Sequence, residues 1–416
     1  MEEKPSASLA SEAARPRPLD PARGTNQSGV RLYNERLVLS LIRRHGQLPK
    51  AEIARATGLS AQTITVIMRA LETDGLVEKQ ARQRGKIGQP SVPFALDPEG
   101  AFSLGLKIGR RSSDLVLLDF AGAVRGAIHE PHPYPVPARL REFAEHGIAR
   151  LVDGLSRAQK TRISGLGIAA PFELWNWEEE IGAPRAILDQ WRSFDAPAEI
   201  GKLTPWSVFF CNDATAACGA ELVLGNPGHY QDFLYFFIGS FIGGGVVLNG
   251  SLYTGRTGNA GALGSMPVAA PQSGRAALSQ QLIRSASIYV LEHKLVAAGK
   301  DAAVLWRSPD DWDVTGESLD DWINEVARSL AFAIVAATSV IDFAAAIIDG
   351  AFPASVRNRI VERTREGAAL LDHQGLSPVT IVEGTVGSRA RAIGGACLPL
   401  LANFARDREV LFKESG

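Results

Sequence analysis

The chain has 416 residues, of which 45% are hydrophobic and 21% are charged, so it is long enough for two or three globular domains. Its net charge of −1 hides an asymmetry. Residues 31–96 carry 11 basic and 5 acidic side chains, whereas residues 97–416 have a net charge of −7. A basic module on an acidic body favours a nucleic-acid partner, because Lys and Arg displace counterions from phosphates.

The three cysteines are Cys211, Cys218 and Cys397, an odd number without a CxxC spacing. This usage argues against a disulfide framework or a Cys-rich zinc site and favours a reducing compartment. The most apolar stretch, residues 330–341, is too short to span a bilayer, and the N-terminus has no apolar signal core. We therefore expect a cytoplasmic protein without a membrane span, in which residues 1–30 form a disordered tail.

Three consecutive helices are predicted after this tail. Apolar residues at helical spacing predict the first helix over 33–45, a second from Pro49, and a third over 61–73. Gly58 permits a tight turn before the third helix, and Ser60 is placed to cap it. This order is typical of a helix-turn-helix module.

The third helix has an apolar face and a polar face. The apolar face comprises Ile64, Ile67, Met68 and Leu71, which we expect to be buried. Short hydroxyl and amide side chains near the start of such a helix suit base edges and phosphates in a major groove. The predicted DNA contacts in and before this helix are Lys50, Ser60, Gln62, Thr63, Thr65 and Arg69.

A basic hairpin follows the third helix. Leu76 and Val77 begin a strand, and Val92, Phe94 and Leu96 alternate as the return strand. Four positive charges on a Gly-containing loop predict a wing that contacts phosphates or a minor groove. The predicted wing contacts are Arg82, Arg84, Lys86 and Gln89, with Lys79 beside them.

The alternative for the whole N-terminal module is a small helical subdomain that docks on a partner and has a solvated basic loop. Helices, cap, wing and charge together favour DNA binding.

From residue 99 onward, predicted strands alternate with helices. The order β-β-β-α-β-α occurs twice, which indicates an α/β fold of two related lobes with a cleft between them. The predicted strands are 104–108, 115–120, 124–128, 163–169, 207–211, 233–238, 244–248 and 344–348. The predicted helices are 140–155, 214–224, 276–298 and 317–341.

Three segments of this body resemble the ROK family (repressors, open reading frames and sugar kinases). They are FIGGGVVLNGSLYTGRTGNAGALGS at 241–265, GLGIAAP at 165–171 and CNDATAACGAE at 211–221. The resemblance extends over nearly the whole chain from about Asn34. It implies an α+β N-terminal winged helix-turn-helix at 31–98, followed by an α/β actin-like (ribonuclease-H-like) body of two lobes at 99–416.

This layout is that of the family's repressors of carbohydrate genes. The resemblance implies a homodimer or tetramer that binds a palindromic operator in double-stranded DNA. Two-fold symmetry would place the recognition helices about 34–36 Å apart, or a multiple of that distance. A sugar or sugar-derived effector in the interlobe cleft would change the angle between the lobes and so this spacing.

The resemblance also marks where a sugar kinase of this family holds ATP. The kinases' phosphate loop DxGGT corresponds to residues 107–112, where Lys107 replaces the Asp and Arg110 replaces the second Gly. An ammonium group cannot ligate magnesium, and an Arg side chain occupies the approach of the phosphate. In the second phosphate turn, Phe241 fills a Gly position. We therefore predict no enzyme activity and no cofactor. Either Lys107, Arg110 and Arg111 bind an anion, or they belong to a solvated hairpin.

Asn212 and Asp213 match the family motif whose Asp is the general base in the kinases. Here they are predicted to bind an effector hydroxyl, to cap the following helix, or both. Ala262 and Ser265 stand where the family has a Glu and a His, so hexose and zinc ligands are lost and no metal is expected. The predicted effector site also includes Gly258, Asn259 and Ser265. Two alternatives remain, a sugar kinase with an added DNA-binding domain and a scaffold without effector or operator.

Overall fold

A computed structural model of the chain describes residues 27–82, 91–175, 182–225, 229–269, 279–314 and 316–405. Among these residues, no helix combines the length and the apolar character needed to cross a membrane. The first helix begins at Gln27, so residues 27–30 belong to it and not to the predicted tail. The rest of that tail prediction lies outside the described residues.

The N-terminal module contains three helices and a small sheet. Its elements are α1 (Gln27–His45), β1 (Gln47–Pro49), α2 (Lys50–Thr57), α3 (Ala61–Thr73), β2 (Val77–Lys79) and β3 (Pro93–Leu96). The strands form an antiparallel sheet in the order β1-β3-β2. The sequence did not predict β1, because a three-residue strand leaves no periodic signal.

The turn between α2 and α3 has the predicted chemistry. Gly58 ends α2 with φ of 71°, a left-handed conformation that favours glycine. The Ser60 hydroxyl accepts a hydrogen bond from the Thr63 N–H at 3.1 Å and so caps α3. The four predicted apolar residues of α3 are all buried. The predicted return strand is confirmed with Phe94 and Leu96 buried, but Val92 precedes it and the adjacent Pro93 is buried as well.

The body consists of two lobes whose five-stranded sheets have the same topology. The first lobe contains β4 (Phe102–Ile108), β5 (Ser112–Asp119), β6 (Val124–Pro131), α4 (Pro137–Asp153), α5 (Arg157–Lys160), β7 (Ile163–Ala170), α6 (Arg185–Leu188), α7 (Ala196–Gly201) and β8 (Val208–Asn212). Its strand order is β6-β5-β4-β7-β8. In both lobes an antiparallel three-stranded meander is extended by two parallel strands, which confirms the predicted repeat.

The second lobe follows a helix that joins the two sheets, α8 (Asp213–Leu224). Its elements are β9 (Phe233–Ile238), β10 (Ile242–Leu248), β11 (Ser251–Tyr253), β12 (Pro267–Ala269), β13 (Ser279–Gln281), α9 (Ile288–Ala297), α10 (Val304–Arg307), α11 (Glu317–Thr338), β14 (Ala345–Gly350), α12 (Ala354–Ala369), β15 (Thr380–Glu383) and α13 (Ala390–Phe404). The strand order is β11-β10-β9-β14-β15, and β12 pairs separately with β13.

The helix predicted over 276–298 is wrong over residues 279–287, and residues 276–278 lie outside the described residues. Residues 279–281 form β13, and a 3-10 turn at Leu282–Arg284 precedes α9. Ser287 is extended, with φ of −104° and ψ of 153°, and its hydroxyl accepts from the Ile242 N–H at 3.0 Å. This tertiary hydrogen bond holds Ser287 outside helical geometry, an outcome that apolar periodicity does not reveal.

The last helix, α13, lies against both α8 and the first-lobe sheet. Its close approach depends on glycines, because a Cβ on Gly394 would lie 1.9 Å from the Ala216 carbonyl oxygen of α8. In the same way, a Cβ on Gly105 of β4 would lie 2.1 Å from the Ala392 carbonyl oxygen. The backbone of α13 therefore lies in direct contact with the backbones of α8 and β4.

The N-terminal module packs against the body through α13. Leu400 and Phe404 near the end of α13 join the apolar cluster that contains Val38 and Ile42 of α1. The Phe120 ring lies in the same cluster, with its centroid 4.8 Å from that of Phe404. The predicted domain boundary at residues 98 and 99 remains a prediction.

Candidate nucleic-acid interface and interlobe cleft

The polar face of α3 is exposed to solvent. Gln62, Thr65 and Arg69 are exposed, and Thr63 is half-buried. The Thr65 hydroxyl donates to the Ala61 carbonyl oxygen at 2.8 Å, which still leaves its lone pairs open to solvent. Gln62, Thr65 and Arg69 therefore lie on one accessible face, opposite the buried one, and Thr63 lies at its edge.

The cations around α3 are partly engaged with neighbouring side chains. Lys50 at the start of α2 is half-buried, and its Nζ lies 5.3 Å from the centroid of the Phe94 ring. Lys79 forms an ion pair with Glu72, whereas Arg82 is exposed after β2. The remaining predicted wing contacts, Arg84, Lys86 and Gln89, lie outside the described residues.

One cation of the N-terminal module faces the body. The Arg43 guanidinium lies 5.1 Å from the centroid of the Phe120 ring, and its Nη1 is buried without a hydrogen-bond partner. Burial lowers the pKa of Arg43. The Arg162 guanidinium of the first lobe also donates to the Asp74 carbonyl oxygen at 3.2 Å and to the Gly100 carbonyl oxygen at 2.9 Å. These contacts hold the N-terminal module on the first lobe.

In the body, the β4–β5 hairpin is held by a buried cation. Lys107 Nζ donates to the Ser112 carbonyl oxygen at 2.9 Å, to the Ser112 hydroxyl at 2.6 Å and to Asp114 Oδ2 at 2.8 Å. Burial lowers the pKa of Lys107 to about 8 despite the attraction of Asp114. Burial alone would raise the pKa of Asp114, but the Lys107 ammonium and the His129 ring outweigh it and hold that pKa far below its usual range.

The arginines of the same hairpin reach across to the second lobe. Arg110 lies 4.3 Å from the centroid of the Phe241 ring. Arg111 forms an ion pair with Glu292 of α9 and lies 4.8 Å from the centroid of the Trp306 ring. These contacts are cation–π and ionic interactions between lobes, so the prediction of a solvated hairpin is wrong. The planar arginine guanidinium suits such stacking, because it is more weakly hydrated than an ammonium group.

A cavity of about 330 Å³ lies in the cleft beside this hairpin. Its walls are the hairpin on the first lobe, α9 and α10 on the second, and the start of α13. Charged side chains of both signs line it, including Glu292, Arg307, Asp310 and Arg389. None of the five predicted effector residues lines this cavity.

Asn212 and Asp213 lie at the junction of β8 and α8. Asn212 Oδ1 accepts from the Ala214 N–H at 3.1 Å and from the Thr215 N–H at 3.4 Å, which confirms the predicted helix cap. Asp213 Oδ2 pairs with Arg391 of α13 at 3.2 Å. The predicted partners Gly258, Asn259 and Ser265 are exposed. An effector role for this set stays a prediction.

Two buried carboxylates position the start of α13, and the sequence pattern did not reveal them. Glu221 accepts hydrogen bonds from the N–H groups of Thr385 and Val386. Asp349 accepts the Gly387 N–H at 2.8 Å and pairs with Arg357 at 3.2 Å. Burial raises the pKa of Asp349, and its hydrogen bonds from backbone N–H groups oppose this rise. Isolated acidic residues far apart in sequence carry no spacing signal, so only the fold brings them together.

The cysteines and other metal-ligating side chains form no centre in the described part of the chain. Cys211, Cys218 and Cys397 are free thiols. Burial raises the pKa of both Cys211 and Cys397 to about 12, so neither thiol is a thiolate near neutral pH. No group of three or more His, Cys, Asp and Glu side chains among the described residues could hold a metal ion.

Comparison with known families matches both parts of the chain. Residues 103–281 match the ROK family, and residues 31–78 match a winged helix-turn-helix DNA-binding domain. The chain thus carries a ROK domain behind a winged helix-turn-helix domain. The predicted recognition and fold class are confirmed.

Relatives of this chain include named regulators. The DNA-binding transcriptional dual regulator NagC of Escherichia coli K12 is 25% identical over 58% of this chain and 58% of its own length. The xylose repressor of Bacillus spizizenii is 24% identical over 58% of this chain and 62% of its own length. An uncharacterized Sinorhizobium fredii protein is 25% identical over 89% of this chain and 91% of its own. The matches to both named regulators thus span less than two thirds of each regulator.

Solved structures share the fold. A ROK family transcriptional regulator described as a homologue of the E. coli MLC protein gives a TM-score of 0.61 at 22% identity, covering 92% of this chain and 99% of its own. A ROK family glucokinase from Streptomyces griseus gives a TM-score of 0.53 at 19% identity, covering 72% of this chain and 99% of its own. At these identities the likeness establishes the two-lobed architecture alone.

Proposed function

We propose that the chain is a transcriptional repressor of sugar-related genes that acts in the cytoplasm and binds double-stranded DNA through residues 31–98. The observation that carries the proposal is the exposed polar face of α3, with Gln62 and Arg69 directed away from a buried apolar face. The net positive charge of this module supports contact with phosphates. The names of two relatives, the N-acetylglucosamine repressor of Escherichia coli O6:H1 and the xylose repressor of Bacillus spizizenii, support the link to sugar genes.

The proposed regulator binds a palindromic operator as a homodimer or a dimer of dimers. Two copies of α3 would then enter successive major grooves about 34–36 Å apart. Selection of binding sites from a random duplex pool by the purified full-length chain tests this proposal. A palindromic selected site supports it, and failure to enrich any sequence at low salt contradicts it.

Substitutions in the module should separate base contacts from phosphate contacts. Gln62→Ala should weaken binding to the selected site by roughly 1–3 kcal/mol and change binding to random duplex little, because an amide reads a base edge. Arg82→Ala should weaken both alike and lower the salt dependence of log K by about 1. Fluorescence anisotropy titrations at several salt concentrations measure both. Equal losses on both duplexes for Gln62→Ala would contradict a base contact, and Arg84→Ala and Lys86→Ala should behave like Arg82→Ala.

The proposed function excludes kinase activity because the β4–β5 hairpin is occupied by its own side chains. Lys107 fills the turn and bonds to Ser112 and Asp114, at the place where the resemblance puts the kinases' metal-directing Asp. Arg110 covers the Phe241 ring, where a second phosphate turn would need open backbone. This arrangement also weakens the anion-binding alternative, since the Lys107 ammonium already has three acceptors.

A coupled assay of ADP release with a panel of sugars should therefore record no turnover above background. The matched control is Asp213→Asn, which removes the carboxylate that a family kinase would use as general base. Any sugar-dependent turnover that disappears in Asp213→Asn would revive the kinase alternative and overturn the exclusion.

An effector in the interlobe cleft would act on DNA binding through α13. This helix starts at the cleft, where Arg391 pairs with Asp213, and ends in the apolar cluster of the DNA-binding module at Leu400 and Phe404. A ligand that separates Arg391 from Asp213 would shift one end of a rigid element whose other end packs on α1. Titration of the operator complex with a metabolite panel tests the coupling, and unchanged affinity across the panel would remove its support.

A further inference from the structure

The polar face of α3 contains one exposed apolar side chain, Val66. It is 60% exposed. Among the described residues of 27–82 and 91–98, the other exposed large apolar side chains are Val30 and Leu32, which are 38% and 41% exposed. Val66 lies one turn after Gln62 and one turn before Arg69. With about 100° of rotation per residue, all three project from the face opposite Ile64 and Met68.

An exposed valine in this position has one chemically matched surface on duplex DNA. The C5-methyl group of thymine is the apolar feature that base pairs present in the major groove. The flanking amide of Gln62 and guanidinium of Arg69 suit the polar base edges and phosphates on either side. The net positive charge of residues 31–96 also favours contact with the DNA polyanion.

We infer that Val66 is a specificity-determining residue whose methyl groups pack on a thymine methyl of the operator. The inference rests on the proposed DNA-binding function and adds the identity of one base that the module reads. Removal of one such thymine methyl should weaken binding about fourfold, the effect of one methyl-sized apolar contact, and loss of the Val66 methyls should cost about as much at each half-site.

The test uses the full-length chain and its selected duplex site. Each thymine of a half-site is replaced in turn by deoxyuridine, which lacks only the C5-methyl group, and affinity is measured by anisotropy. Wild-type protein should lose about fourfold at one thymine per half-site. Val66→Ala changes both protomers of the proposed dimer, so it should lose about fourfold at each half-site, about sixteenfold on the thymine site, and show no further loss with deoxyuridine. Val30→Ala, a substitution at another exposed valine, should keep the wild-type sensitivity to deoxyuridine.

The outcomes separate this inference from the proposed function. If a site is selected and bound but no deoxyuridine replacement weakens the complex, the Val66 contact is overturned and DNA binding stands. If Val66→Ala retains the deoxyuridine sensitivity, another residue reads the methyl and the inference is overturned. If no site is selected at all, the proposed function fails and this inference fails with it.

Discussion

Gly394→Ala should lower the free energy of unfolding by about 3 kcal/mol, at the upper end of the range for overpacked cores. The added Cβ would lie 1.9 Å from the carbonyl oxygen and 2.2 Å from the carbonyl carbon of Ala216. Both atoms belong to the backbone of α8, so no side-chain rotation relieves the overlap. Helix α13 must then move away from α8. Urea unfolding followed by circular dichroism measures the loss.

Gly219→Ala is the matched control, because it makes the same change in α8 on the same pair of packed helices. A Cβ there would meet only the Leu252 and Leu401 side chains at 3.9 Å, an ordinary van der Waals contact. Alanine also removes the entropic cost of glycine inside a helix, about 0.5–1 kcal/mol. This variant should unfold at the wild-type urea concentration or above it. Equal destabilisation of the two variants would show that the contact of Gly394 with Ala216 does not fix α13.

The parts of the fold that were predicted correctly have strong local signals. The bounds of α3 follow from Ser60, which caps the helix, and from four apolar residues at helical spacing. The two-lobed topology follows from a repeated order of strands and helices, which the identical strand orders of the two sheets reproduce. In these cases local preference and tertiary packing favour the same structure.

The parts that were missed depend on contacts between distant residues. Arg111 and Glu292 are 181 positions apart, and no spacing in the sequence connects them. Arg110 of the first lobe lies over the Phe241 ring of the second lobe. In the sequence, each of these residues predicted only the loss of a phosphate site. The resemblance to sugar kinases predicted that these residues replace kinase groups, whereas only the fold shows that they make contacts between the two lobes.

Lys107→Met should destabilise the chain by about 3 kcal/mol at pH 7, because it leaves Asp114 partly buried without its ammonium partner. In the wild type, the pKa of Asp114 is held far below its usual range, so its stabilising contribution is present above about pH 4 and is lost as pH falls further. In the variant, burial still raises that pKa and only the His129 ring still opposes it, so Asp114 takes up a proton at higher pH than in the wild type. The deficit of the variant relative to wild type should therefore shrink as pH falls from 7 toward 4.

Two further variants decide whether this deficit comes from the buried charge. Lys202→Met removes the partner of Glu199 in an exposed ion pair, where Lys202 is 61% exposed, and should change stability by less than about 0.5 kcal/mol. Lys107→Met combined with Asp114→Leu removes both charges and should recover most of the loss, since an apolar pair can replace a buried ion pair. If the double variant is no more stable than Lys107→Met alone, the hairpin is stabilised by the bonds from Lys107 to Ser112 and not by its pairing with Asp114.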